Sequence, residues 1–171
     1  MITLRPKDSV GKYTVQYFIK EGLYDSTYKV TDESGSTFFM KLYDPSLVPA
    51  GLLDDGVPTE IIALRKISHP NLISYVADGT LKIDGSECWY LVTDYFMGSL
   101  LSDSLNSGKT YTEETVRSIM AKVLDGLDYL SGAQDLCHND ITPRNIILDV
   151  VEKDGVMPRI IDFGHVHEPF S

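Results

Sequence analysis

Two periodicities divide the chain. From Tyr13 to Tyr43 apolar and polar residues alternate in short runs, Tyr13 to Ile19, Ser26 to Thr31 and Thr37 to Tyr43, with the turn-forming Asp32-Glu33-Ser34-Gly35 between the last two. This pattern predicts a three-stranded antiparallel meander. Pro58 to Ile67 reads as a short helix, because Pro58 suits a first-turn position where its missing N–H costs nothing, and Ile61, Leu64 and Ile67 share a face. His69-Pro70-Asn71 ends it. Two further strands, Leu72 to Leu81 and Cys88 to Tyr95, flank Lys82-Ile83-Asp84-Gly85-Ser86, whose Asp-Gly step suits a hairpin turn. Five strands and one helix thus form a first lobe. After Met97-Gly98-Ser99 the period becomes helical, and Glu113 to Leu130 carries Val116, Ile119, Met120, Val123, Leu124, Leu127 and Leu130 along one stripe. Thr112 stands as its N-cap, and Glu113 and Glu114 complement the positive end of the helix dipole. Asn145 to Val150 and Arg159 to Ile161 read as two short strands separated by Glu152-Lys153-Asp154-Gly155. Internal repeats and low-complexity segments are absent from the sequence.

Composition narrows the class. With 171 residues, 43% hydrophobic and 23% charged, and a mean hydropathy of −0.08, the chain is neither disordered nor collagenous. It can hold one sizeable core, or one small domain and part of another. Lys and Arg number 15 against 25 Asp and Glu, a net charge of −10. The resulting field repels nucleic acid and anionic lipid, so neither is expected as a partner, and any phosphate-bearing ligand has to be held by local groups. Cys88 and Cys137 are far apart in sequence and imply no disulfide framework or metal knuckle; both read as buried thiols of a reducing compartment. The first residues lack the apolar run of a signal peptide, and no stretch has 18 consecutive apolar residues, so a cytoplasmic location is expected.

Four features with potential chemistry follow in order: a lysine on the third strand (Phe38-Phe39-Met40-Lys41), a glutamate on the next helix (Glu60), His-Asn-Asp-Ile-Thr-Pro-Arg-Asn at 138–145, and Ile-Ile-Asp-Phe-Gly at 160–164. Each is common singly. In this order, with the hinge-like Leu91-Val92-Thr93-Asp94-Tyr95-Phe96-Met97-Gly98 between them, the sequence resembles the first part of a serine/threonine-type protein kinase domain, from about Tyr13 to Gly164. The resemblance implies an α+β, protein kinase-like fold with a five-stranded antiparallel N-lobe and hinge over residues 1–97. A truncated helical C-lobe over 98–171 would continue in a longer polypeptide with downstream domains.

It also implies an ATP- and Mg²⁺-dependent transferase that phosphorylates a protein hydroxyl. Such chemistry requires little covalent work from the protein, which holds phosphates and metal in line with the acceptor oxygen. By resemblance Lys41 binds the α- and β-phosphates and Glu60 fixes its rotamer; Asp162 and Asn145 ligate Mg²⁺ with hard oxygens; Asp140 accepts the substrate hydroxyl proton. His138 packs the loop. Thr93 is the gatekeeper, the backbones of Asp94 and Phe96 contact adenine, and Ile19, Thr27, Phe39, Met97 and Leu148 sandwich it.

The departures are specific. The Gly-x-Gly-x-x-Gly loop aligns with Lys20-Glu21-Gly22-Leu23-Tyr24-Asp25 and keeps only the middle glycine, Gly22, while Asp25 puts a carboxylate where phosphate would approach. Phe39 replaces a small residue, Asn139 the usual arginine, and Thr142 a lysine, with Arg144 the nearest basic group. Two other readings therefore stay open: a pseudokinase serving as a binding or regulatory module, and a small-molecule phosphotransferase of the aminoglycoside or choline kinase kind. Only seven residues follow Gly164, so the chain is expected to be the N-terminal piece of a longer one, inactive alone.

Overall fold

The computed structural model describes residues 1–151 and 155–167. Glu152, Lys153 and Asp154, read above as part of the segment that separates the last two strands, lie outside the described residues. The chain divides into two units, Met1–Ile62 with Tyr75–Tyr95, and Ala63–Ser74 with Phe96 onward.

The first unit is built on an antiparallel sheet. Its strands are β1 (Ser9–Val10), β2 (Tyr13–Glu21), β3 (Asp25–Thr31), β4 (Thr37–Tyr43), β7 (Tyr75–Ile83) and β8 (Ser86–Asp94), in the order β1-β2-β3-β4-β8-β7. The predicted meander is present. The sheet nevertheless has six strands rather than five, because Ser9 and Val10 pair with Thr14 and Tyr13; two residues are too few to show an alternation. A small hairpin of β5 (Leu53–Asp54) and β6 (Val57–Pro58) was also not foreseen. Its turn is Asp55-Gly56, with φ of 48° and 77°, the same Asp-Gly geometry that closes β7 onto β8 at Asp84-Gly85 with φ of 50° and 84°. Alternation along the strands sends Tyr13, Val15, Tyr28, Val30, Met40, Leu42, Cys88 and Val92 to one buried cluster. The opposite face carries the chemistry described below.

Helix α1 spans Thr59–Leu64, shorter than the predicted Pro58 to Ile67. Lys66 N turns back to Ala63 O and Ser68 N bonds the Tyr129 hydroxyl, so the last residues of the apolar pattern are drawn off the helical path.

In the second unit β9 (Gly98–Leu100) leads into α2 (Leu101–Asn106), followed by α3 (Glu113–Ala133). Thr112 Oγ1 accepts from Thr115 N, as an N-cap should. Strands β10 (Ile146–Val151) and β11 (Gly155–Ile160) form a three-stranded sheet with β9 in the order β11-β10-β9. The His69-Pro70-Asn71 segment is anchored here: the His69 ring stacks on Tyr129 at 5.2 Å, and Asn71 Nδ2 donates to Pro158 O. Helix α3 buries Ile119, Val123, Gly126 and Leu130, while Val116, Met120 and Leu124 are exposed. Both cysteines are free; Cys88 is buried, and Cys137 is only half-buried because it edges an open groove. Among the described residues no helix is long and apolar enough to cross a membrane.

Candidate active site

In β4 the period of two separates Phe38, Met40 and Leu42 from Phe39, Lys41 and Tyr43. Register places Thr27 opposite Lys41 on one side and Leu91 opposite it on the other, so all three share the face away from the apolar cluster. Lys41 Nζ reaches both carboxylate oxygens of Glu60, at 2.9 and 2.8 Å. Glu60 is 4% exposed, and a carboxylate that deep is stable only when its lone pairs are occupied. Tyr43 supplies a further donor: its hydroxyl lies 2.6 Å from Glu60 Oε2. The Lys41–Glu60 pair predicted from the sequence is therefore formed, and Tyr43 is a third member that the sequence reading missed.

Other positions on this unit are mixed. Thr93 is buried opposite Phe39, whose ring packs at 4.7 Å against Tyr95. Thr27 is buried with Oγ1 lacking a hydrogen-bond partner. Asp94 pairs with Phe38 at the end of β8. Ile19 falls in the β-bulge between Phe18 and Lys20 and is exposed. Gly22 closes the β2–β3 turn, its N–H donating to Asp25 O, and a Cβ there would lie 2.9 Å from the Asp25 carboxylate. That amide is engaged in the hairpin, and the Asp25 side chain covers the glycine.

In the second unit the 138–145 loop is held from several sides. His138 is buried; its Nδ1 accepts from Asp140 N, which leaves Nε2–H to donate to Ile161 O at 3.1 Å, and its ring meets Phe163 edge-on at 4.8 Å. This is the loop-packing role expected of it. Asn139 and Asp162 both adopt positive φ, 62° and 64°, a region that Asn and Asp tolerate better than most side chains. Asn139 Nδ2 donates to Cys137 O and His165 O, tying the loop to the residues after Gly164. No sequence signal points to this staple, because the left-handed backbone at Asn139 and the approach of His165 arise only in the folded chain. Asn145 Nδ2 donates to the Asp140 carbonyl at 2.9 Å and to Asp140 Oδ2 at 2.7 Å, while Ile161 N donates to Asn145 O. The amide is thereby oriented, with Oδ1 as its remaining oxygen acceptor.

Asp140, Thr142 and Arg144 line one side of a groove of about 500 Å³ whose other side is Ser102, Leu105 and Asn106 of α2. Leu148 is buried in β10 between Ser99 and Pro158. Phe96 is buried beneath the Arg159 guanidinium, and Met97 is 81% exposed. His165 and His167 are exposed, and no group of three or more His, Cys, Asp or Glu suited to a metal occurs among the described residues.

Comparison with known proteins places this geometry in context. The model of the protein kinase domain family matches residues 13–169. The chain is 27% identical over 158 residues to CBL-interacting serine/threonine-protein kinase 8 of Arabidopsis thaliana, covering 91% of this chain and 33% of that protein. It is 24% identical over 161 residues to serine/threonine-protein kinase GE16371 of Drosophila yakuba, covering 93% and 20% respectively. The crystal structure of Rad53 residues 1–466 in complex with AMP-PNP shares the fold, with a TM-score of 0.75 and 24% identity, over 90% of this chain and 39% of that one. The chain thus spans about a fifth to a third of the length of these two curated relatives. With a family match across nearly all its residues, an antiparallel sheet bearing a Lys–Glu pair and a second unit bearing the 138–145 loop and Asp162, the chain belongs to the protein kinase domain family.

Proposed function

We propose that the chain is the nucleotide- and phosphate-handling part of a serine/threonine protein kinase that uses ATP and Mg²⁺. The observation that carries this reading is the Asp140–Asn145 arrangement: the amide donates both its hydrogen bonds to Asp140 and presents Oδ1, a hard oxygen suited to Mg²⁺, while Asp140 keeps a carboxylate at the edge of an open groove. Asn145 and Asp162 would hold the ion, which supplies positive charge against the phosphate oxygens. Lys41, fixed by Glu60, takes the α- and β-phosphates. Asp140 orients the acceptor hydroxyl and takes up its proton. Thr93, Asp94, Phe96 and Leu148 are the adenine contacts, with Thr27 and Phe39 beside them. The protein substrate docks against the groove bordered by α2.

The test separates the two aspartates. Asp162→Ala should abolish Mg²⁺-dependent nucleotide binding by the 171-residue chain, whereas Asp140→Ala should leave binding nearly intact and remove phosphate transfer from a longer polypeptide that turns over. Equal loss of binding in both variants would sink the assignment. A second reading, a pseudokinase module, is favoured by the turn in which the Gly22 amide is already engaged and the Asp25 carboxylate covers the glycine. Under it, millimolar Mg-ATP leaves the thermal melt unmoved, whereas a ligand at 100 times its Kd stabilises by about 2.7 kcal/mol.

A further inference from the structure

Tyr43 bears on how well Lys41 does its work. It lies two residues after Lys41 on β4, so the strand period sends both side chains to one face. The ring is 2% exposed, and its hydroxyl donates to Glu60 Oε2 at 2.6 Å, the same oxygen that Lys41 Nζ contacts at 2.8 Å. Glu60 has three side-chain torsions, and a carboxylate free to turn about them gives its lysine a less defined position. Tyr43 has two torsions, both set by burial, so the phenol is a rigid post for the carboxylate. It also keeps a donor on the buried Glu60 charge when the ammonium is shared with another anion, which removes part of the cost of drawing Lys41 away.

We infer that Tyr43 is a positioning residue for phosphate binding: by anchoring Glu60 it sets the location of the Lys41 ammonium. The inference rests on the reading above that Lys41 contacts the nucleotide phosphates. It makes the functional unit a triad, Lys41–Glu60–Tyr43, rather than an ion pair.

The experiment is a double-mutant cycle on Mg-ATP affinity in the full 171-residue chain, using wild type, Tyr43→Phe, Lys41→Met and the double variant, each checked by a circular dichroism melt. Tyr43→Phe keeps the ring and should fold. Because the lost hydrogen bond to a charged group reaches the ligand only through Lys41, part of its worth should be felt, weakening Mg-ATP by about fivefold. Acting through Lys41, it should add nothing in the Lys41→Met background, a non-additivity that a merely structural role would not produce. Wild-type affinity in Tyr43→Phe, or the same fold-loss in both backgrounds, overturns the inference while leaving the role of Lys41 intact. A Tyr43→Phe chain without a cooperative melt also overturns it, since the hydroxyl would then serve the fold. If Lys41→Met binds Mg-ATP as wild type does, the phosphate reading itself fails and the inference falls with it.

Discussion

Asp44, just beyond β4, is a buried carboxylate with a full set of donors: Ile2 N at 2.8 Å, Ser46 N at 3.0 Å and Ser46 Oγ at 2.6 Å. Burial is the largest single influence on it and pushes its pKa up, but the bonds from Ser46 and Ile2, with the N-terminal amine, outweigh burial and hold it below the ordinary value. A carboxyl whose folded pKa is depressed contributes stability that is present above its unfolded value, about 3.9, and lost as pH falls through the folded value. Asp44→Asn should therefore lower the melting temperature at neutral pH, with the gap to wild type closing as pH falls below the unfolded value and through the depressed folded one. A gap that is the same at both pH values would mean the effect is packing and not charge. At this scale the order of the motifs was enough to pair Lys41 with Glu60 and to set Asp140 beside Asn145, contacts that the folded chain makes. The sequence was silent on Tyr43 and Asn139, whose roles arise from partners 17 and 26 residues away that only the folded chain brings close.

At the scale of elements, the long periodic segments were legible and the short ones were not. Thr37–Tyr43 has the predicted bounds, and α3 starts where Thr112 and Glu113 place it. Strand β9 was missed because Gly98-Ser99-Leu100 is too short for a period; it exists through its partner, with Ser99 opposite Leu148 and Gly98 opposite Asp149. Gly98 is required there for space. A Cβ would sit 2.5 Å from Leu148 O and 2.7 Å from Ile147 Cγ2, closer than real atoms approach, and the backbone oxygen cannot step aside as a side-chain tip can. Gly98→Ala should cost about 1–3 kcal/mol, as over-packing does in other cores. Gly51, with nothing within 4 Å of its virtual Cβ and no positive φ, is the control, and Gly51→Ala should leave stability nearly unchanged. Denaturant titration measures both; equal values would show that β9 and β10 separate easily and that the pairing contributes little.

For the whole molecule, the stripe on α3 matters because it stays partly exposed among the described residues. Of the seven apolar residues that the sequence places along it, Ile119, Val123 and Leu130 are buried by the second unit, whereas Val116, Met120 and Leu124 are 45%, 49% and 59% exposed. Leu124 and Leu127 continue into a groove of about 470 Å³ that Leu136 and the exposed Ile141 also line. Contiguous apolar surface of this kind favours association, since each fully buried Leu, Val or Met side chain contributes roughly 1.5–3 kcal/mol. The net charge of −10 opposes it by mutual repulsion, which salt screens. The 171-residue chain should therefore bind an apolar fluorescent probe at low ionic strength and self-associate as salt is raised, with Leu124→Glu suppressing both. Sedimentation at several salt concentrations checks this, and a monomer that stays dark with the probe throughout would show that the groove is closed in solution.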